Sequence, residues 1–294
     1  MGFRFLFPQI SVGPNTENDL IQTIPGDRLA DLVGRKSFAI LIERSVYARG
    51  RVLSTQRHEV AWNGAAWSDP GAFQFRLAAA PAFDWRDPAN LAFLETGISM
   101  LSDGEFAAPD GLAFYSSYPA ASGKTYFSDN ALKYGERNVI ATHLRFGVLV
   151  ACYPNILIDL DRDITESILF LNPYRSTVSG TVELEGTAAS RNVAIPTLSG
   201  LRFDLAEMLP RGSRAWQGTV FVTSKARPVL MFCKHSAAQP NVVTTMEHSL
   251  AYYADDVQVA ATQRARALFG QHVLRRIEEW RGRRAALKRA LAPR

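Results

Sequence analysis

Apolar residues in this chain gather into short runs separated by turn-forming residues, and the runs are most regular after residue 135. Those at 139–150, 155–160, 167–171, 178–184, 198–205, 218–223, 228–233 and 242–252 read as strands. Asp161-Arg162-Asp163, Asn172-Pro173, Glu185-Gly186 and Arg211-Gly212 supply the turns between them. The run Glu166-Ser167-Ile168-Leu169-Phe170-Leu171, closed by Asn172-Pro173-Tyr174, anchors the pattern. Short strands with a turn signal about every ten residues predict an antiparallel β-sandwich.

The first half is β-rich with less regular connections. Residues 3–25 read as loop, punctuated by Pro8, Gly13-Pro14-Asn15 and Pro25-Gly26-Asp27, and 27–33 as one or two helical turns. A buried strand is expected at 37–43, then a hairpin over 46–55 broken at Arg49-Gly50. His58-Glu59-Val60-Ala61-Trp62 leads into Asn63-Gly64, the strongest short hairpin signal in the chain. Phe73-Gln74-Phe75-Arg76-Leu77 alternates as a half-exposed strand should, and 90–96 reads as another strand. Residues 102–138 read as loop carrying Phe114, Tyr115, Tyr118, Tyr126 and Phe127.

After Tyr253 the period changes to that of a helix. Asp255-Asp256 gives an acidic start, and Phe269, Val273, Ile277, Trp280, Leu287 and Leu291 fall on one stripe. The expected architecture is therefore mostly β: two β-sandwich-like halves, 1–135 and 136–254, followed by a basic amphipathic C-terminal α-helix over 255–294. The order of strand, Asn-Pro turn, strand, Gly hairpin and strand over 167–252 resembles the immunoglobulin-like accessory sandwiches that lie beside many bacterial domains. The Cys-Trp-Cys signature of antibody-type domains is missing, so the resemblance implies a fold class and no activity.

Charge changes the picture only at the tail. The chain of 294 residues carries a net charge of +5, while residues 263–294 hold ten Arg/Lys against Glu278 and Glu279, a net +8 that leaves the body at −3. Any acidic partner is therefore expected to meet the tail, through Arg275, Arg276, Trp280, Arg283 and Arg284. The expected uses of this helix are packing on its own sandwich, self-association or a protein partner, and, ranked lower, a membrane surface. A nucleic-acid partner is not expected, because aromatic interleaving and a recognition motif are both lacking. The hydrophobic fraction of 47% indicates a sizeable core, and arginine and alanine usage suggests a GC-rich bacterial genome. Cys152 and Cys233 sit in apolar runs, as buried thiols do, although pairing stays open. A cytoplasmic location is expected, since no apolar run reaches the roughly 18 residues of a membrane helix.

Candidate chemistry is sparse. Ser122-Gly123-Lys124-Thr125 ends like a phosphate-binding loop, but Tyr118 stands where that motif needs glycine, so it reads as an ordinary loop. Asp159, Asp161 and Asp163 alternate as weak metal candidates, yet Ile164 and Phe170 occupy positions where a calcium loop needs glycine and glutamate. A solvated hairpin turn is the simpler reading, and no cofactor is expected. A hairpin through 236–241 is expected to bring His235 towards Glu247 and His248, a set suited to zinc or acid–base chemistry. Alternation along a strand prevents both from facing His235. Trp62, Trp67, Tyr115, Tyr118 and Tyr126 are candidates for stacking on sugar rings, with Trp62 and Trp67 the expected exposed pair. The function expected from these features is non-catalytic binding or structure, directed at glycan or cell-envelope components. The alternatives are a hydrolase-type or metal-assisted enzyme using His235 with Glu247 or His248, and a peripheral membrane or assembly factor acting through 263–294.

Overall fold

The computed structural model describes residues 2–9, 20–77, 91–101, 115–119, 125–129, 149–224, 228–240 and 243–248. The described chain is mostly β, in several antiparallel sheets. The expected C-terminal helix and the 135/136 boundary lie outside these residues.

Strands β1 (Gly2–Pro8), β3 (Phe38–Ala48), β4 (Arg51–Trp62) and β6 (Phe93–Met100) form one sheet in the order β1-β6-β3-β4. A second sheet, β5-β2-β7-β8, joins β2 (Leu20–Thr23), β5 (Gln74–Leu77), β7 (Tyr115–Pro119) and β8 (Thr125–Asp129). Helix α1 (Gly26–Val33) follows β2 and stops at Gly34, whose φ of 62° is the left-handed conformation a helix end favours. The turn residues Arg49 and Gly50 both carry positive φ, which closes the β3–β4 hairpin where the sequence broke. After Trp62 the Asn63 side-chain oxygen accepts from the amides of Ala65 and Ala66, and the chain doubles back to bridge Trp62 with Trp67.

Two stretches expected as loop are strands. β1 pairs with β6 from Gly2↔Ser99 to Pro8↔Phe93, and β2 lies between β5 and β7. Their hydrogen-bond partners lie some fifty to a hundred residues away, so local punctuation by Pro8 and Gly13-Pro14 outweighed a pairing that the local sequence does not display. The loop expected at 102–138 likewise contains β7 and β8, with Tyr118 opposite Tyr126 and Tyr115 opposite Asp129.

The remaining eight strands make the third sheet, in the order β12-β11-β14-β9-β10-β15-β16 with β13 on the other edge of β10. They are β9 (Leu149–Asp159), β10 (Ile164–Asn172), β11 (Val178–Leu184), β12 (Ser190–Ile195), β13 (Ser199–Asp204), β14 (Ala215–Ser224), β15 (Val229–Ser236) and β16 (Val243–His248). β9 meets β10 at the single pair Ile164↔Asp159, whereas β10 runs fully along β13 and β15. The sheet turns over at that corner. It encloses a core made by Ile156 and Ile158 of β9, Val220 and Val222 of β14, and Ile168, Phe170, Leu230 and Phe232 from β10 and β15.

The opposite face of β10 is also buried. Leu169, Leu171, Val229, Met231 and Cys233 belong to a second core together with Leu6, Phe7, Ile40, Ile42, Phe93 and Ile98 from the first half. The two halves therefore share a core, and the near-continuous apolar run of β10 has its explanation: a strand covered on both faces has no polar alternation to keep. At the same seam Leu91 and Gly200 exchange backbone hydrogen bonds of 2.7 and 3.2 Å.

Candidate functional site

β10, β13 and β15 each place polar side chains on the face that meets the first half. Pairing sets Ser167 opposite Cys233 and Asp204, Thr165 opposite His235, and Arg202 opposite Leu169. Because side chains alternate along a strand, Thr165, Ser167, Arg202, Asp204 and His235 share the face of Leu169 and Met231. Ser167 is 0% exposed and His235 is 1% exposed.

These groups form a directed chain of hydrogen bonds. His235 Nδ1 lies 2.8 Å from the carbonyl oxygen of Ser236, and a carbonyl only accepts, so Nδ1 carries the proton. Nε2 is then an acceptor, and the Ser167 hydroxyl donates to it over 2.7 Å. Arg202 Nε donates to Ser167 Oγ at 3.1 Å, while Arg202 Nη2 pairs with Asp204 at 2.9 Å. Thr165 donates to the other oxygen of Asp204 at 3.3 Å. Burial pushes the His235 pKa down, with Arg202 acting the same way and the Ser236 carbonyl, Asp204 and Asp163 opposing it. The Cys233 thiol beside the network is pushed up to about 12 by burial and is inert.

A serine hydroxyl aimed at a neutral imidazole is the arrangement of a nucleophile and its base. Here the hydroxyl is buried on the β10 face that meets the first half and sits in the middle of a paired strand, so the arrangement ties three strands together at the seam.

The expected meeting of His235 with Glu247 and His248 does not form. Glu247 pairs with Phe232 and His248 with Met231, which puts His248 four residues along β15 from His235. Glu247 falls on the opposite face, where its carboxylate accepts a hydrogen bond from the Tyr153 hydroxyl. Tyr153 stacks on Phe232 with centroids 3.9 Å apart, and Lys234 pairs with Glu166 at 3.3 Å beside them. Burial raises the Glu166 pKa, against the Leu157 amide and Lys234, which lower it.

The three aspartates diverge. Asp159 accepts from the Arg162 amide, Asp161 pairs with Arg214 at 2.6 Å, and Asp163 accepts from the Ser236 hydroxyl and the Ala238 amide. Among the described residues no three His, Cys, Asp or Glu side chains are grouped to hold a metal ion. Neither Cys152 nor Cys233 is joined in a disulfide. Trp67 is only 8% exposed, packed edge-on against Phe38 at 5.3 Å and tilted against Phe73 at 4.7 Å. The expected exposed tryptophan pair is thus corrected to one half-buried ring, Trp62, lying on Trp67 at 5.3 Å. The hairpin folds back because Asn63 caps its turn, and that return carries Trp67 inward.

Tyr115, Tyr118 and Tyr126 stand on paired strands, and Arg275, Arg276, Trp280, Arg283 and Arg284 lie outside the described residues. Sequence reading missed Ser167, Arg202 and Asp204 as partners of His235. The available signal was a polar residue at a core-facing position, serine inside Ile164–Leu171 and arginine between Leu201 and Phe203. No helix among the described residues is long and apolar enough to cross a membrane. No family model, curated protein or solved structure matches the chain.

Proposed function

We propose that this protein is a non-catalytic binding or structural module, with two sandwich-like halves as scaffold and residues 255–294 as a basic helical arm. The observation that carries the reading is the burial of Ser167 and His235. The side-chain pair best oriented for nucleophilic chemistry is sealed at the seam, where it joins β10, β13 and β15. A catalytic serine must be reachable by the atom it attacks.

The ligand class we assign is glycan or cell-envelope polymer, met by the Trp62 ring beside the capped Asn63-Gly64 turn. The ring is held by Trp67 beneath it and keeps part of its surface in water, as a sugar-stacking platform requires. Binding of the purified full chain to a glycan array and to cell-wall polymer tests this. Trp62→Ala is expected to lower retention at least tenfold with an unchanged circular dichroism spectrum. Equal retention by Trp62→Ala, or none by the parent protein, removes the glycan assignment. A serine-directed fluorophosphonate that labels Ser167 in the native protein overturns the non-catalytic reading itself.

A further inference from the structure

Among the described residues, the first half contains a buried cation with no anion beside it. Arg44 projects from β3 on the face of Ile40 and Ile42, and is 2% exposed. Its Nε donates to Gln22 Oε1 at 3.3 Å and its Nη2 to the Ala72 carbonyl at 2.8 Å. The guanidinium also lies over the Phe75 ring, 4.8 Å from the centroid. Thr96, directly opposite Arg44 on β6, gives its hydroxyl to the same Gln22 oxygen at 2.7 Å. Gln22 and Phe75 are themselves cross-strand neighbours on β2 and β5. The four side chains therefore meet across the gap between the first two sheets.

Donors exceed acceptors there. A guanidinium has five N–H groups, and the bonds above use two of them. Gln22 is fully buried and its Nε2 has no hydrogen-bond partner among the described residues. The amide cannot be turned round to relieve this, because its nitrogen would then face the Arg44 Nε–H. No carboxylate of the described residues forms an ion pair with Arg44. Burial lowers the Arg44 pKa to about 10, and the group stays cationic at neutral pH. Buried charges are as a rule paired, since an isolated one costs several kcal/mol.

We propose that Arg44 and Gln22 hold a small monovalent anion, of chloride or formate size, between the two sheets of the first half. One guanidinium balances one negative charge, so a dianion would leave net charge in an apolar gap. The layers around the site are filled by Ile40, Ile42 and Phe75, which favours a compact ion over a substituted one.

The test is thermal unfolding of the full chain while chloride replaces gluconate, a monovalent anion too large for the gap, at fixed ionic strength. The parent protein is expected to gain stability with chloride and to saturate, and Arg44→Met to show no dependence on the anion. Gln22→Leu keeps the cation and removes the spare amide donor, and is expected to shift the chloride midpoint at least tenfold upward. Chlorine-35 NMR linewidths should broaden with the parent protein and less with either variant, which retains a readout if Arg44→Met folds poorly. Equal chloride dependence in parent and Arg44→Met, or a parent protein indifferent to the anion by both measurements, overturns the proposal.

Discussion

Acidification should loosen the seam between the halves through His235. In the native protein the imidazole is neutral, gives its Nδ1 proton to the Ser236 carbonyl and accepts the Ser167 hydroxyl on Nε2. Protonation removes that acceptor and places a second cation beside Arg202. Burial depresses the native pKa below the ordinary 6.5, while the unfolded chain titrates near that value. Below pH 6.5 the unfolded state thus binds the proton first, and stability falls with pH until the native imidazole also titrates. While the native form stays neutral, the loss is at most about 1.4 kcal/mol by pH 5.5 and about 2 kcal/mol by pH 5.0. Asp163, in the turn just before β10, and Asp204, on β13, draw the proton in and soften this limit. The assay is urea unfolding from pH 7.5 to 5.0 for the parent and His235→Gln, whose amide can make both hydrogen bonds but cannot titrate in this range. At pH 7.5 the variant should be less stable by about 1–2 kcal/mol, and the gap should narrow steadily below pH 6.5. Other titrating groups, Glu166 among them, are common to both proteins and cancel in the difference. A gap that stays constant across the range would refute the reasoning.

Four substitutions probe the rest of the framework. A Cβ on Gly200 would sit 2.8 Å from Leu91 Cβ and 2.9 Å from its carbonyl oxygen, so Gly200→Ala should cost about 1–3 kcal/mol in chemical denaturation. Asn172 is fully buried, with its amide nitrogen shared among the carbonyls of Ser176, Ile195 and Pro196 and its oxygen accepting from the Tyr174 amide. Asn172→Asp turns a donor into an acceptor against three carbonyls and should lower stability by about 3 kcal/mol or more, whereas a loss under 1 kcal/mol would mean the turn tolerates a change of partner. Trp67→Ala should cost about 3–5 kcal/mol and Trp62→Ala clearly less, measured by calorimetry; equal losses would show that both rings are core.

Much of the framework was visible in short-range signals. The runs at 167–171 and 178–184 fall within β10 and β11, that at 228–233 starts one residue before β15, and helix α1 begins one residue before the span expected for it. What escaped was whatever depends on a distant partner. β1 and β2 are strands because β6, β5 and β7 complete their ladders, and β12, with Val193 and Ile195 as its buried residues, is held as an edge by β11. The site was less legible still. His235 was singled out, but its partners follow from register: a strand paired one residue out of step would turn Ser167 away from it. Glu247 was excluded from His235 by that same alternation. The inward return of Trp67 depends on the Asn63 cap, which a dipeptide signal for a two-residue hairpin does not describe.

The two-faced burial of β10 also bears on the protein's synthesis. The core of the first half includes Met231, Cys233, Val243 and Met246, so its apolar lining is incomplete until the last described strand has been made. At ordinary ribosomal speeds, about 5–20 residues per second, Ile40, Ile42 and Phe93 wait on the order of ten seconds for those partners. During that interval the nascent chain exposes a surface that holdase chaperones bind. Ribosome stalling just before codon 228 should therefore yield a protease-sensitive first half, and release past codon 248 should protect it.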